Sequence, residues 1–273
     1  MTRAATQRIV NRGDTPRASP RVEPELRLQS PVPGLERGLD VLECLAATAE
    51  PLTLTEVARA LGRTVSEVQR TLAQLSVRAY LVRDARGAYR LSSKLFRLAN
   101  AHPPFRDLVA RALGPMQRFA DATNESVHLG VLSDDQLLLV AQAEGRALVR
   151  VSLQVGSLQP AVSTVSGRIL LSGLSAGERD ALMARQRLGP AARRRLVKAL
   201  AALCSRGHDY AESDHFRGVH DLGVPVTLPD GRVIAALTSS WLEIRKGPSR
   251  ARDLLGPLTA AARSIADAYE RSA

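Results

Sequence analysis

The sequence predicts an α+β chain, an N-terminal winged helix-turn-helix followed by a larger domain built on an antiparallel sheet. Three observations predict it. Thr53 with Glu56, and Thr64 with Glu67, are two helix-start signatures on either side of Gly62. In each, the hydroxyl and the carboxylate satisfy amides that a helix start leaves without partners, and glycine tolerates the left-handed backbone of a helix end. They therefore read as two short helices about a tight turn. A hairpin pattern follows at once: 80–83, a turn over 84–87, then 88–91, with Arg83, Arg86 and Arg90 along it. Beyond residue 105, alternating apolar runs fall before and after a block of helical periodicity, as in an antiparallel sheet with segregated helices.

Taken in order, residues 1–33 are rich in Arg, Pro, Ser and Thr, lack apolar periodicity, and read as a disordered basic arm. Residues 34–92 form the winged domain. Its first helix, over 35–47, places Leu35, Leu39, Leu42 and Leu45 at helical spacing with Val41 beside them, and Arg37 near its start can touch a duplex backbone. The helix after Thr64 turns Val65, Val68, Leu72 and Leu75 inward. Its outer face holds Ser66, Glu67, Arg70, Ala73 and Gln74, with Gln69 at the flank. An arginine there can bond a guanine edge bidentately, and a glutamine can reach adenine. An ordinary solvated helix has the same pattern; the basic hairpin placed behind it favours nucleic acid. The expected DNA-binding set is Arg37, Thr53, Arg63, Thr64, Ser66, Glu67, Gln69, Arg70 and Arg86.

Residues 93–104 read as a linker helix, N-capped by Ser92-Ser93 over 94–100 and stopped at His102-Pro103-Pro104. Residues 105–273 form the second domain. The pattern gives a helical segment over 105–122 interrupted at Gly114-Pro115, and strands at 125–132, 136–143 and 148–153. A loop over 156–167 runs into a helix from about 165 to 171, and further helices follow at 176–186 and 191–205. Strands at 223–228 and 232–239 flank the turn Pro229-Asp230-Gly231, and a last helix covers 249–269.

The formal net charge of +11 favours a polyanionic partner, and counting gives +6 for residues 1–100 and +5 for the remainder. Aromatics are only 3%, so base stacking is not the expected mode of contact. Cys44 and Cys204 form no CxxC pair and read as free, packed thiols of a reducing cytoplasm. No apolar run reaches the length of a membrane span. Signatures of nucleotide binding, serine hydrolases and zinc proteases are absent, so no catalytic residue and no cofactor are expected. The one enzyme-like constellation is His208-Asp209, Glu212, Asp214-His215 and His220-Asp221. It supports a second reading, a metal-binding sensor or enzyme, although its spacings match no fixed ligand geometry.

At this point the chain resembles the IclR family of bacterial transcriptional regulators. The stretches that carry the likeness are GLERGLDVLE from Gly34, PLTLTEVARALG from Pro51, AYLVRD from Ala79, GAYRLSSKL from Gly87, VGSLQPAVSTVSGR from Val155, and GVPVTLPDGRVIAAL ending at Leu237. The resemblance implies a GAF-like or profilin-like effector-binding domain and a homodimer or homotetramer on a palindromic double-stranded DNA operator. It further implies control by a small-molecule effector such as an organic or aromatic acid, with repression the commoner sense. Ser66, Val68 and Arg70 match the family's recognition helix; Glu67 and Gln69 stand where Thr and His are common, Val65 where Lys is frequent, and Ala79 where Gly is usual. Thr164, Ser166 and Gly167 match the pocket loop, with Ser163 and Val165 beside them, and helix-end amides there can hold a carboxylate. Asp214 stands where Glu is usual and Asp221 where Cys or Ser is common. Either carboxylate disfavours a bare anion unless a cation such as Arg146 or Arg168 compensates it.

Overall fold

The computed structural model describes residues 32–101, 103–213, 216–243 and 250–271. They divide into two compact units that meet between His102 and Pro103. The basic arm over 1–31, and Asp214 with His215, lie outside the described residues.

The N-terminal unit is three helices and a hairpin. Helix α1 is Pro33–Ala46, α2 is Leu54–Leu61 and α3 is Val65–Val77; strands β1 (Leu81–Arg83) and β2 (Tyr89–Leu91) pair antiparallel, with Leu52 bridged to Tyr89. Both capping boxes form, at Thr53/Glu56 and Thr64/Glu67, and Gly62 closes α2 with φ 61°. Val41, Leu45, Val57, Val68, Leu72 and Leu81 make the core. Two sequence expectations are corrected. Val65 is 44% exposed, because as the first residue of α3 it has no preceding turn to pack beneath, and the buried stripe starts at Val68. Leu35 and Leu39 are also exposed, since only the second half of α1 lies over the core. Ala79 turns the chain from α3 into the hairpin with φ +58°, a left-handed backbone that is unfavourable for a residue with a Cβ. The hydroxyl of Ser92 donates to its carbonyl at 2.6 Å, and Lys94 Nζ donates to the neighbouring Arg78 carbonyl at 2.7 Å. Helix α4, Lys94–Ala101, follows.

The C-terminal unit opens with α5, Pro103–Thr123. The prolines expected only to stop the preceding helix instead start this one, where their missing amides cost nothing. The predicted break at Gly114-Pro115 does not occur. Glycine before proline has no Cβ to clash with the ring, and Ala112, Met116, Phe119 and Ala120, all buried, hold both halves to the sheet. Strands β3 (Ser126–Ser133) and β4 (Gln136–Ala143) form a hairpin, and β5 is Leu158–Pro160. The strand expected at 148–153 is absent. Side chains take the place of a ladder there: Leu153 N–H donates to Gln142 Oε1, and Ser152 and Arg150 both engage Glu144.

Helices α6 (Val165–Ser172), α7 (Ala176–Arg185) and α8 (Pro190–Arg206) follow. Strand β6, Asp209–Glu212, was hidden in the sequence by a charge at an inward position. Strands β7 (Val219–Thr227) and β8 (Val233–Leu242) and helix α9 (Arg250–Glu270) complete the unit. The sheet is antiparallel throughout in the order β5-β4-β3-β8-β7-β6, so its two edges are strands of three and four residues. Helices α5 and α9 cover one face, where Val127, Leu129, Leu222, Val224 and Leu237 point. On the other, Ile169, Leu170, Leu196, Leu200 and Leu203 pack α6 and α8 over Leu137 and Ala236. A bulge opposite Leu129/Gly130 reverses the alternation of β4, which is how Leu137 and Ala141 face opposite cores.

Relief of the strained turn gives the first prediction. Ala79→Gly should raise the unfolding free energy by about 0.5–1 kcal/mol, the left-handed strain removed less the added chain entropy. A urea midpoint equal to or below that of the parent chain would show that Ala79 is not strained.

Candidate nucleic-acid and ligand sites

Helix α3 has one side fixed and one side open. Ser66, Glu67, Gln69, Arg70, Ala73 and Gln74 are all exposed, opposite Val68 and Leu72. Its start is fixed twice. Glu67 Oε2 accepts from the Thr64 hydroxyl at 2.7 Å and from its amide at 3.0 Å, and these bonds hold the Glu67 carboxyl below the usual carboxylate range. Arg63, just before the cap, donates to Asp40 of α1 at 2.8 Å. Arg63 is thus a tie between helices, and Thr53 and Thr64 spend their side chains on capping. Arg37 is half-buried on α1, near enough to Glu67 to lower its pKa further. Arg70 is exposed and has no ion pair among the described residues. On the hairpin, Arg83 folds back, donating to the Gly87 carbonyl at 3.1 Å and lying over the Tyr89 ring. Arg86 projects from the tip, its side chain 79% exposed and loosely paired to Asp84 at 3.5 Å.

The second site lies on the face of the sheet beneath the start of α6. Thr164 caps that helix, its hydroxyl accepting from the Gly167 amide at 3.0 Å. Gly167 and Gly223 allow the close approach: a Cβ at 167 would overlap the Ala161 carbonyl, and one at 223 would strike Ile169 and Thr238. Ser166 Oγ sits 3.1 Å from His128 Nε2 and 2.8 Å from Thr238 Oγ1, all three buried. One strand step along β8 from Thr238, Ser240 donates to Asp221 at 2.5 Å. Thr164, Val165, Ser166, Gly167 and Asp221 thus gather on one face of one sheet, with Ser163 at its margin donating to the Pro160 carbonyl.

The two arginines considered for this loop are engaged elsewhere. Arg168 pairs with Asp209 at 2.5 Å, and both are nearly buried. Arg146 is 78% exposed and reaches Asp121 on α5, across the sheet from Ser166. Sequence reasoning missed His128, Thr238 and Ser240. The alternation of 126–131 carried the signal, because Ser126 and His128 share the face opposite Val127 and Leu129. Of the histidine-acid constellation, Asp214 and His215 lie outside the described residues, and the other members have partners of their own. His208 bonds the Arg206 carbonyl, and Asp209 belongs to Arg168. His220 stands between the Tyr210 hydroxyl at 2.9 Å and Glu243 at 2.8 Å. Among the described residues no three His, Cys, Asp or Glu side chains are placed to hold a metal ion. Cys204, expected to be packed, is exposed on α8, which ends at Gly207.

A capped helix-turn-helix with a wing, joined to a second, α+β domain, defines a DNA-binding regulator of transcription. The chain belongs to the IclR family. The model of the IclR helix-turn-helix domain matches residues 34–85, and that of the bacterial transcriptional regulator IclR C-terminal domain matches 105–267. Similar proteins include the HTH-type transcriptional regulator XynR of Escherichia coli (strain K12), 26% identical over 221 residues, 78% of this chain and 88% of that protein. BhcR of Paracoccus denitrificans (strain Pd 1222) is 27% identical over 241 residues, 85% of each. A solved IclR homolog from Microbacterium hydrocarbonoxydans, complexed with 4-hydroxybenzoate, aligns with TM-score 0.74 and 23% identity over 87% of this chain and 99% of that one. No helix among the described residues is long and apolar enough to cross a membrane.

Burial pushes the His128 imidazole down from 6.5 to about 4, so the folded protein takes up this proton later than the unfolded chain does. The stability this confers is intact above pH 6.5 and is lost as pH falls toward 4, about 3 kcal/mol in all. His128→Gln should remove that slope while keeping a partner for Ser166. Identical pH profiles of the urea midpoint for variant and parent between pH 7 and 4 would refute the assignment.

Proposed function

We propose that the chain is a repressor that binds a palindromic operator as a homodimer, or as a pair of dimers, and lets go when a small organic acid binds at the start of α6. The observation that carries the reading is the open face of α3, rigidly capped and uncovered by the rest of its unit. Arg70 reads a guanine edge, with Ser66 and Gln69 beside it. Glu67 holds the helix start and turns its second carboxylate oxygen toward the groove. Arg37 and Arg86 contact phosphate, whereas Thr53, Arg63 and Thr64 act by fixing the two helices. A dimer sets the two α3 helices about 34 Å apart, in successive major grooves. The exposed apolar residues Val32, Leu35 and Leu39 on α1 support self-association of the winged unit.

For the effector, the α6 amides at Val165 and Ser166 suit a carboxylate. Asp221 at the other end suits a hydroxyl donor, so a hydroxylated aromatic acid is the ligand class. The 4-hydroxybenzoate bound by the homologous structure has that chemistry. Asp214 joins this set by resemblance. Arg146 is held back as a rim contact that must first leave Asp121. The chain acts by binding rather than catalysis, in the cytoplasm, as the names of its relatives support.

Arg70→Ala should weaken binding to the DNA upstream of its own gene by about 1–3 kcal/mol at fixed salt and leave binding to random-sequence DNA little changed. An anisotropy titration in which the variant matched the parent on that DNA would show that another side chain reads the operator.

A further inference from the structure

The C-terminal unit carries its positive charge in one place. Residues 176–206, which span α7 and α8, hold eight arginines and lysines against Glu178 and Asp180, whereas the rest of 103–273 holds fourteen against fifteen acids. An arginine-heavy composition spreads charge; it does not gather it on one helix pair. The two acids present are committed, Glu178 to the Ser175 cap and Asp180 to Arg193 at 2.7 Å. Helix α8 itself contains no acid. Leu196, Leu200 and Leu203 face inward, so at ~100° per residue the outer side presents Arg194, Arg195 and Lys198, all exposed and without an ion pair among the described residues. Small residues, Ala191, Ala201 and Ser205, fill the rest of that side and leave the cations open to a broad partner. The arginines sit near the amino end of α8, where the helix dipole disfavours cations that have no anion to meet.

We infer that the outer face of α7 and α8 is a second contact surface for duplex DNA, gripping the sugar–phosphate backbone without reading sequence. The inference rests on the proposed function only for the choice of polyanion, since a chain held to an operator by α3 meets the adjoining duplex at high local concentration. The helix pair has no aromatic residue, which excludes the base stacking that single strands require. Its apolar side is buried against α6, and Val197 is the only large apolar residue the pair exposes among the described residues, too little to insert into a lipid surface.

The test compares the full-length chain with its Arg194→Gln/Arg195→Gln/Lys198→Gln variant by anisotropy, using a random-sequence duplex and the upstream DNA across a salt series. Loss of three phosphate contacts should flatten the slope of log affinity against log salt by roughly 2–3 and weaken both duplexes at least about tenfold at low salt. The preference for upstream over random DNA should stay unchanged, and an Arg→Lys version of the two arginines should restore the slope. An unaltered slope overturns the inference, as does a loss seen with single-stranded RNA but not with duplex. Circular dichroism of the variant separates either result from misfolding. Were the parent chain to show no preference for any upstream DNA, the operator reading would fail while the random duplex still decided this one.

Discussion

Helix α6 is packed so closely, against the loop before it at Gly167 and against the sheet at Gly223, that a side chain at either position would overlap a neighbour. Gly167 passes over the Ala161 carbonyl and Gly223 passes beneath Ile169, which brings the Ser166 hydroxyl down between His128 and Thr238. The three groups are buried and satisfy one another, and an uncharged imidazole is the form that such a setting tolerates. Were α6 to lift, the bonds of Ser166 to His128 and Thr238 would part together.

The ion pair of Arg168 with Asp209 acts on the same helix from its side. It ties α6 to the edge strand β6 and neutralises a carboxylate that faces the core. It also leaves Arg168 committed to β6 and unavailable to other partners near the start of α6. In the winged unit the arrangement is simpler. Two capping boxes and one Arg63–Asp40 bridge orient α3, and little of its outer face is spent on holding it there.

What could be read in the sequence follows from how local each signal is. Capping boxes and hairpin turns each span four residues, so Thr53, Thr64 and Pro229-Asp230-Gly231 identified their elements without help from the fold. Elements that rely on distant partners were misread. Strand β6 looked like a polar loop because the partner that lets Asp209 face inward is forty-one positions away. Residues 148–153 alternate as a strand does, yet Gln142 and Glu144 satisfy that segment from below and the ladder moves on to 158–160. The loop with Thr164, Ser166 and Gly167 was legible through family likeness, whereas His128, Thr238 and Ser240 were not. Their common face appears only once the register of β3 against β8 is known.

The sheet ends on two very short rims, β5 with three residues and β6 with four, and Pro160 removes a donor from the first. A rim of that length offers a passing strand few amides to grip, which disfavours edge-to-edge pairing of copies into extended ribbons. Whatever assembly the protein forms is left to its helices and loops, whose side chains can be tuned for one neighbour and against others. A crowded cell full of unfinished chains is then a smaller hazard to it than to a protein with a long bare margin.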